Sequence, residues 1–393
     1  MGEVRAAVTH RRDYLWVILF LIIFVNGFES GGYQASLLSI GETYDLSVTS
    51  MGLFAALELL ADMLAPLLLG RWADRFGKGK SMLVMLSLQL VISLLLLLTT
   101  SREIFLGGMF FLGLTTSAMQ FIAIAALADA YPLSQGKRIG YMTSMYALGA
   151  VASPLIVSLY LGLGISWRAL FALLGAGSLV ALVGLLRNDV QPREKAPKSA
   201  GGQVGSGRFV LVGVLLLCVV MCIYVGFENG FAFFVDTLFA KVFNSSAGKL
   251  ALSLYWAVMI PSRVIVGHNA KHAYKILLAS VITIPCMAAL IAIAPSSALV
   301  MALCVPLGLA SGAIYPCSLT LALPFAGKKT ATATGMITTA TGIGGFAFTA
   351  LTGFLADRLG MQAALLVLAA FFALSLIAVL RIRAYQTASA EQE

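Results

Sequence analysis

Polar positions interrupt this chain only briefly, and the stretches between them are apolar over 20 residues or more. As helices, such stretches are long enough to cross a hydrocarbon core of roughly 30 Å. Cutting at the charged and Gly/Pro-rich gaps predicts twelve helices, near 14–38, 50–70, 80–99, 103–130, 139–162, 167–187, 209–239, 248–267, 273–294, 297–322, 331–355 and 361–381. No segment shows the strict alternation over about ten residues that a membrane β-strand requires. The predicted fold class is an all-α polytopic membrane protein.

Composition agrees. The chain is 60% hydrophobic and 11% charged with a mean hydropathy of +0.95, whereas soluble domains carry about 25% charged residues. A net charge of +9 in a soluble protein would suggest nucleic acid as partner. Here the cations fall in the gaps between apolar runs and report topology instead. With the N-terminus inside, basic residues such as Arg11, Arg71, Arg75, Lys78, Lys137, Arg187, Arg263, Lys328 and Arg381 share the cytoplasmic ends. Only Arg102, Arg168, Lys241, Lys249 and Arg358 fall outside. Both termini are therefore expected in the cytoplasm, with the bilayer of a bacterial cytoplasmic (inner) membrane around the helices. The first apolar run, from about Tyr14 to Leu38, is too long for a signal-peptide core of roughly 7–15 residues and reads as the first span.

The longest polar stretch, 188–208, holds Pro192, Pro197 and a Gly/Ser-rich run from Gly201 to Gly207. It reads as a flexible linker between an N-terminal six-helix bundle, 1–187, and a C-terminal one, 209–393. The two parts also resemble each other. Gly27-Phe28-Glu29-Ser30-Gly31 returns as Gly226-Phe227-Glu228-Asn229-Gly230, and Leu112-Gly113-Leu114 as Leu307-Gly308-Leu309. Two pseudo-symmetric bundles of this kind place a binding site between them near the membrane midplane.

After the second predicted span comes Gly70-Arg71-Trp72-Ala73-Asp74-Arg75-Phe76-Gly77-Lys78-Gly79-Lys80. This resembles the loop signature of the major facilitator superfamily, and the resemblance, with the six-plus-six repeat, covers nearly the whole chain. It implies a monomeric transporter rather than an enzyme, with no cofactor. Gly70, Asp74, Arg75, Gly77 and Lys78, joined by Arg263 in a degraded second copy, are then expected to form a cytoplasmic gate of charge-assisted bonds. Gly353-Phe354-Leu355-Ala356-Asp357-Arg358-Leu359-Gly360 repeats the signature on the opposite side. Gly149, Ser153 and Pro154 resemble a degenerate form of the glycine-proline motif of drug antiporters, but Met109 stands where those carry an arginine. Tyr224 to Glu228, Ser253-Leu254-Tyr255-Trp256 with Arg263, and Ala313-Ile314-Tyr315-Pro316 are similar to the fucose–glucose–galactose branch of proton–sugar symporters.

Carboxylates inside spans cost about 2.5–3.5 kcal/mol each on insertion scales and mark function by default. The proton-coupling candidates are Glu29 and Glu228, with Glu58 and Asp62, four residues apart in the second span, as a rival proton or cation site. Asn26 and Tyr33 lie on the same helix face as Glu29. Together with Gln120, Tyr224, Asn229, Tyr255, Trp256 and Tyr315 they are candidates for binding a hydroxyl-rich substrate, rings stacking on its apolar faces. His268 and His272 lack the third ligand and the helical pattern of a zinc site, and read as loop residues. Gly342-Ile343-Gly344-Gly345 lies inside a span, where it indicates helix packing rather than a phosphate loop. The expected function is proton-coupled transport of a small polar solute, possibly sugar-like, with protons as co-substrate. The alternatives are export of amphipathic or cationic compounds and a non-transporting sensor of the same fold.

Overall fold

The computed structural model describes residues 14–131, 135–188, 209–326 and 330–390. Its helices are α1 (Leu15–Thr43), α2 (Val48–Phe76), α3 (Lys78–Leu98), α4 (Arg102–Ala130), α5 (Gln135–Gly162), α6 (Ala169–Leu186), α7 (Leu211–Phe243), α8 (Gly248–His268), α9 (Ala273–Ala292), α10 (Ser297–Ala326), α11 (Thr330–Leu359), α12 (Met361–Ala370) and α13 (Phe372–Ala390). The last two together form one span, Met361–Tyr385, so that twelve helices among the described residues can cross a membrane. No strand occurs among the described residues. The predicted linker, apart from Asn188, lies outside them.

Several helices outrun their predicted bounds, α2 by six residues and α7 by four at their C-terminal ends. An apolar run marks the hydrocarbon layer, but backbone pairing continues through the headgroup layer until something stops it. The stops are left-handed residues: Gly77 after α2 (φ +94°), Asn244 after α7 (φ +49°) and Gly360 after α11 (φ +86°). At the starts, the Ser47 and Ser101 hydroxyls accept from the amides of Ser50 and Ile104 at 3.2 and 3.3 Å, satisfying donors the first turn leaves free.

The helices form two bundles, α1–α6 and α7–α13, each held by close glycine contacts. In the first, α1 meets α5 backbone to backbone: a Cβ added at Gly27 would stand 2.0 Å from the Tyr146 carbonyl oxygen, and one at Gly149 2.3 Å from that of Phe24. In the second, α7 meets α11 the same way, with Gly344 against the carbonyl of Cys222 at 2.0 Å. In lipid, where apolar surface alone does not drive helices together, such small-residue contacts supply the packing. Outward faces carry exposed leucines such as Leu67, Leu98 and Leu159, as a lipid-facing surface requires.

The two membrane faces differ. The ends flanking residues 189–208 define one, called here the linker face. On the opposite face the bundles touch: α2 and α11 run antiparallel, and an added Cβ at Gly52 would lie 2.9 Å from Gly353 Cα. There Thr49 Oγ1 donates to Asp357 Oδ2 at 2.8 Å, and Ser253 Oγ to the Val151 carbonyl at 3.0 Å. Near the linker face an added Cβ at Gly70 of α2 or Gly335 of α11 meets nothing within 4 Å. Among the described residues these contacts between the bundles gather toward the face opposite the linker.

Four of the five cations expected outside the charge asymmetry have local partners. Arg168 donates to the Thr99 carbonyl at 3.1 Å and lies over the Trp167 ring. Lys249 pairs with Asp236 at 2.5 Å, Arg102 with Glu103 at 3.7 Å, and Arg358 covers the ring of Phe354.

Candidate functional site

Half-way along α1 the backbone presses against α5 through Gly27, Gly31 and Gly149. Between those glycines, Glu29 is 2% exposed and points to α2. Its carboxyl group neighbours that of Glu58, itself 4% exposed. Asp62, one turn further along α2, lies within electrostatic reach of both. Glu29 Oε1, Glu58 Oε2 and Asp62 Oδ1 are each buried without a hydrogen-bond partner. Glu58 and Asp62, read from the sequence as a rival to Glu29, are thus its neighbours in one cluster.

Two tyrosines frame the cluster. Tyr33 is fully buried, its hydroxyl has no partner, and it interacts electrostatically with both Glu58 and Glu29. Tyr146 of α5 reaches the same three carboxyl groups while hydrogen-bonded to Ser30. Asn26 is engaged on one side only: its Nδ2 donates to the Thr116 carbonyl of α4 at 2.8 Å, while its Oδ1 is buried without a hydrogen-bond partner. Ser117 donates to the Asp62 carbonyl at 2.9 Å, and Gln120, exposed, follows three residues later on α4.

A smaller cluster occupies the second bundle. Glu228 of α7 is hydrogen-bonded to Tyr224 one turn earlier and lies within electrostatic reach of Arg263 on α8. Tyr255 is fully buried, its hydroxyl next to that of Ser311, and also senses Glu228 and Arg263. Tyr315 is 39% exposed near Arg263. Asn229 Nδ2 turns back to the Val225 carbonyl at 3.0 Å. Arg263 therefore sits inside the bundle beside Glu228, and not with the other residues expected at the cytoplasmic gate.

The clusters share a depth. A Cβ added at Gly345 of α11 would stand 3.4 Å from Asn229 Nδ2 and 3.7 Å from Leu59 Cδ1, so the neighbours of Glu228 and Glu58 flank one residue. Above them, toward the face opposite the linker, Trp256 Nε1 donates to Gln34 Oε1 at 3.0 Å, and the Tyr33 ring meets Phe233 edge-on at 5.5 Å. Gln34 and Tyr146 carried no signal in the sequence. Only the contact between helices distant in the chain gives them a role.

At the linker face Gly77 turns the chain after α2, Asp74 and Arg75 are exposed, and Lys78 pairs with Asp129 of α4. Gly70 has open space around it. These gate candidates form no contact across the bundles in this state among the described residues.

The family model described as Major Facilitator Superfamily matches residues 19–349. The chain belongs to that superfamily. With twelve helices long and apolar enough to cross a membrane among the described residues, it is an integral membrane protein of that superfamily. The chain is 29% identical over 168 residues (42% of its length) to an uncharacterized MFS-type transporter of Bacillus subtilis (strain 168), and 27% over 195 residues (49%) to a chloramphenicol resistance protein of Pseudomonas aeruginosa. It spans only 32% and 46% of those relatives' own lengths. Among solved structures, a bacterial homolog to the human lysosomal transporter Spinster, inward-facing and unoccupied, superposes with a TM-score of 0.80 at 16% identity, covering 95% of this chain and 97% of that one. At such identity the likeness concerns the fold.

Proposed function

We propose that this protein couples protons to the movement of a small polar organic solute, bound between the bundles near the middle of the membrane. The observation that carries this reading is the burial together of Glu29 and Glu58, each with a carboxyl oxygen that has no hydrogen-bond partner, and with Asp62 within electrostatic reach. Buried acids inside a span mark function by default, and a carboxyl group beside a second one is equipped to take up and release a proton. Asp62 adds a third acid within reach, and a solute or a change of state that separates the pair alters how firmly that proton is held. Rocking of the bundles, with 188–208 as the connecting linker of domains 1–187 and 209–393, exposes the pair to alternate sides. With basic loops in the cytoplasm, the linker face is the cytoplasmic one of a bacterial membrane, and the protein works as a monomer.

A sugar-like solute is supported by the rings of Tyr255 and Trp256 at the site. A second reading, export of a cationic compound, is favoured by three carboxyl groups with no cation beside them, and by the resistance protein among the relatives.

Reconstitution in liposomes with an internal pH dye tests the coupling. Solute added on one side is expected to drive a pH change, and E29Q or E58Q to reduce it by about tenfold or more, because each removes an acid whose burial costs about 3 kcal/mol. Unaltered solute-driven proton flux in both variants would overturn the reading. Solute binding with no flux at all points to a sensor.

A further inference from the structure

The charged groups that the first bundle brings to the site among the described residues are the carboxyl groups Glu29, Glu58 and Asp62, with the unpartnered hydroxyl of fully buried Tyr33 beside them. The second offers a guanidinium. Arg263 is half-buried, its Nε is buried without a hydrogen-bond partner, and no ion pair joins it to a carboxylate among the described residues. Glu228, the nearest acid, takes the Tyr224 hydroxyl instead. Beside Arg263 stands Tyr255, fully buried, its hydroxyl next to that of Ser311. A planar fork of donors with one buried and unmet is the natural counterpart of a carboxylate or another planar anion.

The two charges lie at similar depth in the membrane. The bond from Trp256 to Gln34 marks a common level on α8 and α1. Toward the linker face from that level, Glu29 is five residues along α1 and Arg263 seven along α8, roughly 7.5 and 10.5 Å at 1.5 Å per residue. Both are below that level, on the linker side.

We propose that the transported solute is amphoteric: a small organic molecule whose amine docks among Glu58, Asp62 and Tyr33, and whose carboxylate, or similar anionic group, docks on Arg263 and Tyr255. This names the solute class for the site proposed above and rests on that placement between the bundles. A plain cation would satisfy the first bundle and be repelled by Arg263. A neutral sugar would leave both charges desolvated and unpaired, which is costly on each side. An amphoteric solute bridges the bundles, so its binding also favours states in which they approach.

Equilibrium binding to the purified full chain in nanodiscs, at one pH and with no gradient, tests the proposal. The probes are 6-aminohexanoate, 4-(aminomethyl)cyclohexanecarboxylate and phenylalanine, each beside its amide, a cation, and its N-acetyl derivative, an anion. At least one zwitterion is expected to bind about tenfold more tightly than both of its derivatives, as a charge-assisted pair at each end implies. R263Q is expected to bring the zwitterion-to-amide ratio below about threefold, and E58Q with D62N to do the same for the zwitterion-to-N-acetyl ratio. R263K, which keeps the charge and loses the fork, should fall between, and stands in if R263Q does not fold. Amides that bind as tightly as their zwitterions, a ratio that neither Arg263 variant moves, or no binding by any zwitterion would each overturn the proposal. Because no proton flux is read, loss of coupling in the liposome assay with an intact charge preference would remove the coupling alone.

Discussion

The two bundles repeat a backbone and not a chemistry. On α4, Gly113 lies against the carbonyl of Glu58; on α10, Gly308 lies against that of Tyr255, and an added Cβ would stand 2.7 Å from either oxygen. One turn on, Ser117 donates to the carbonyl of Asp62, while Gly312 packs against that of Met259. The helix contacts are thus equivalent, yet where the first bundle carries a glutamate and an aspartate the second carries a tyrosine and a methionine. Glu29 gains a carboxyl neighbour on the next helix, and its counterpart Glu228 gains Tyr224 on its own helix and Arg263 on the next. Packing positions must be kept for both bundles to fold. The side chains one step away are free to diverge, and there the acids and the arginine were placed.

The largest effect expected from this asymmetry is on coupling. E58Q should lower solute-driven proton flux by about 100-fold, since an acid kept in a span at about 3 kcal/mol must contribute at least that to the coupled step. E228Q should lower it tenfold or less by the same measure, having no second acid beside it. Equal loss in both variants would show that the bundles are equivalent after all. Next come the shared packing positions. G149A and G344A place a methyl group 2.3 and 2.0 Å from a facing carbonyl oxygen, and each should destabilise the protein by about 1–3 kcal/mol in thermal unfolding. A large difference between them would mean that the frame is not equally tight in both halves.

Smaller effects are expected where the bundles meet. W256F leaves Gln34 Oε1 without its donor and should destabilise the contacts at the opposite face by about 1–3 kcal/mol. T49A removes the bond to Asp357 at an exposed edge, which is worth about 1 kcal/mol or less. Distance distributions between spin labels at Asp45 and Ser245 would report both, as growth of a population with that face open. If T49A opens it more than W256F does, the edge bond and not the buried layer holds the closure.

Much of this architecture was legible in the sequence. Apolar runs between charged gaps located all twelve spans, because a helix crossing lipid leaves no alternative to long uncharged stretches. Their ends were less legible, since Gly77 and Gly360 stop α2 and α11 several residues past the apolar run. The signature from Gly70 to Lys80 pointed to the superfamily now matched over residues 19–349. The site was legible in its acids and not in their grouping. Nothing along the chain says that Glu29 faces Glu58 rather than Glu228, because that depends on which helices the glycines bring together. Nor does residue type reveal that the amide nitrogens of Asn26 and Asn229 are occupied by backbone carbonyls. Gln34 and Tyr146 are ordinary in sequence and acquire meaning only through neighbours more than a hundred positions away.

The glycines that end α2 and α11 close the same eight-residue pattern, Gly70 to Gly77 and Gly353 to Gly360, with Asp-Arg at identical spacing. Since the two helices run antiparallel, the copies occupy opposite ends of one helix pair. The pair therefore behaves as a balance beam with a clasp at each tip. One clasp, Asp357 with Thr49, is fastened here, and the other makes no bond across to the second bundle among the described residues. The equilibrium between the two tilts is set by the difference in clasp strength and not by either alone. Loosening both by the same amount would quicken the exchange and leave the balance point where it was.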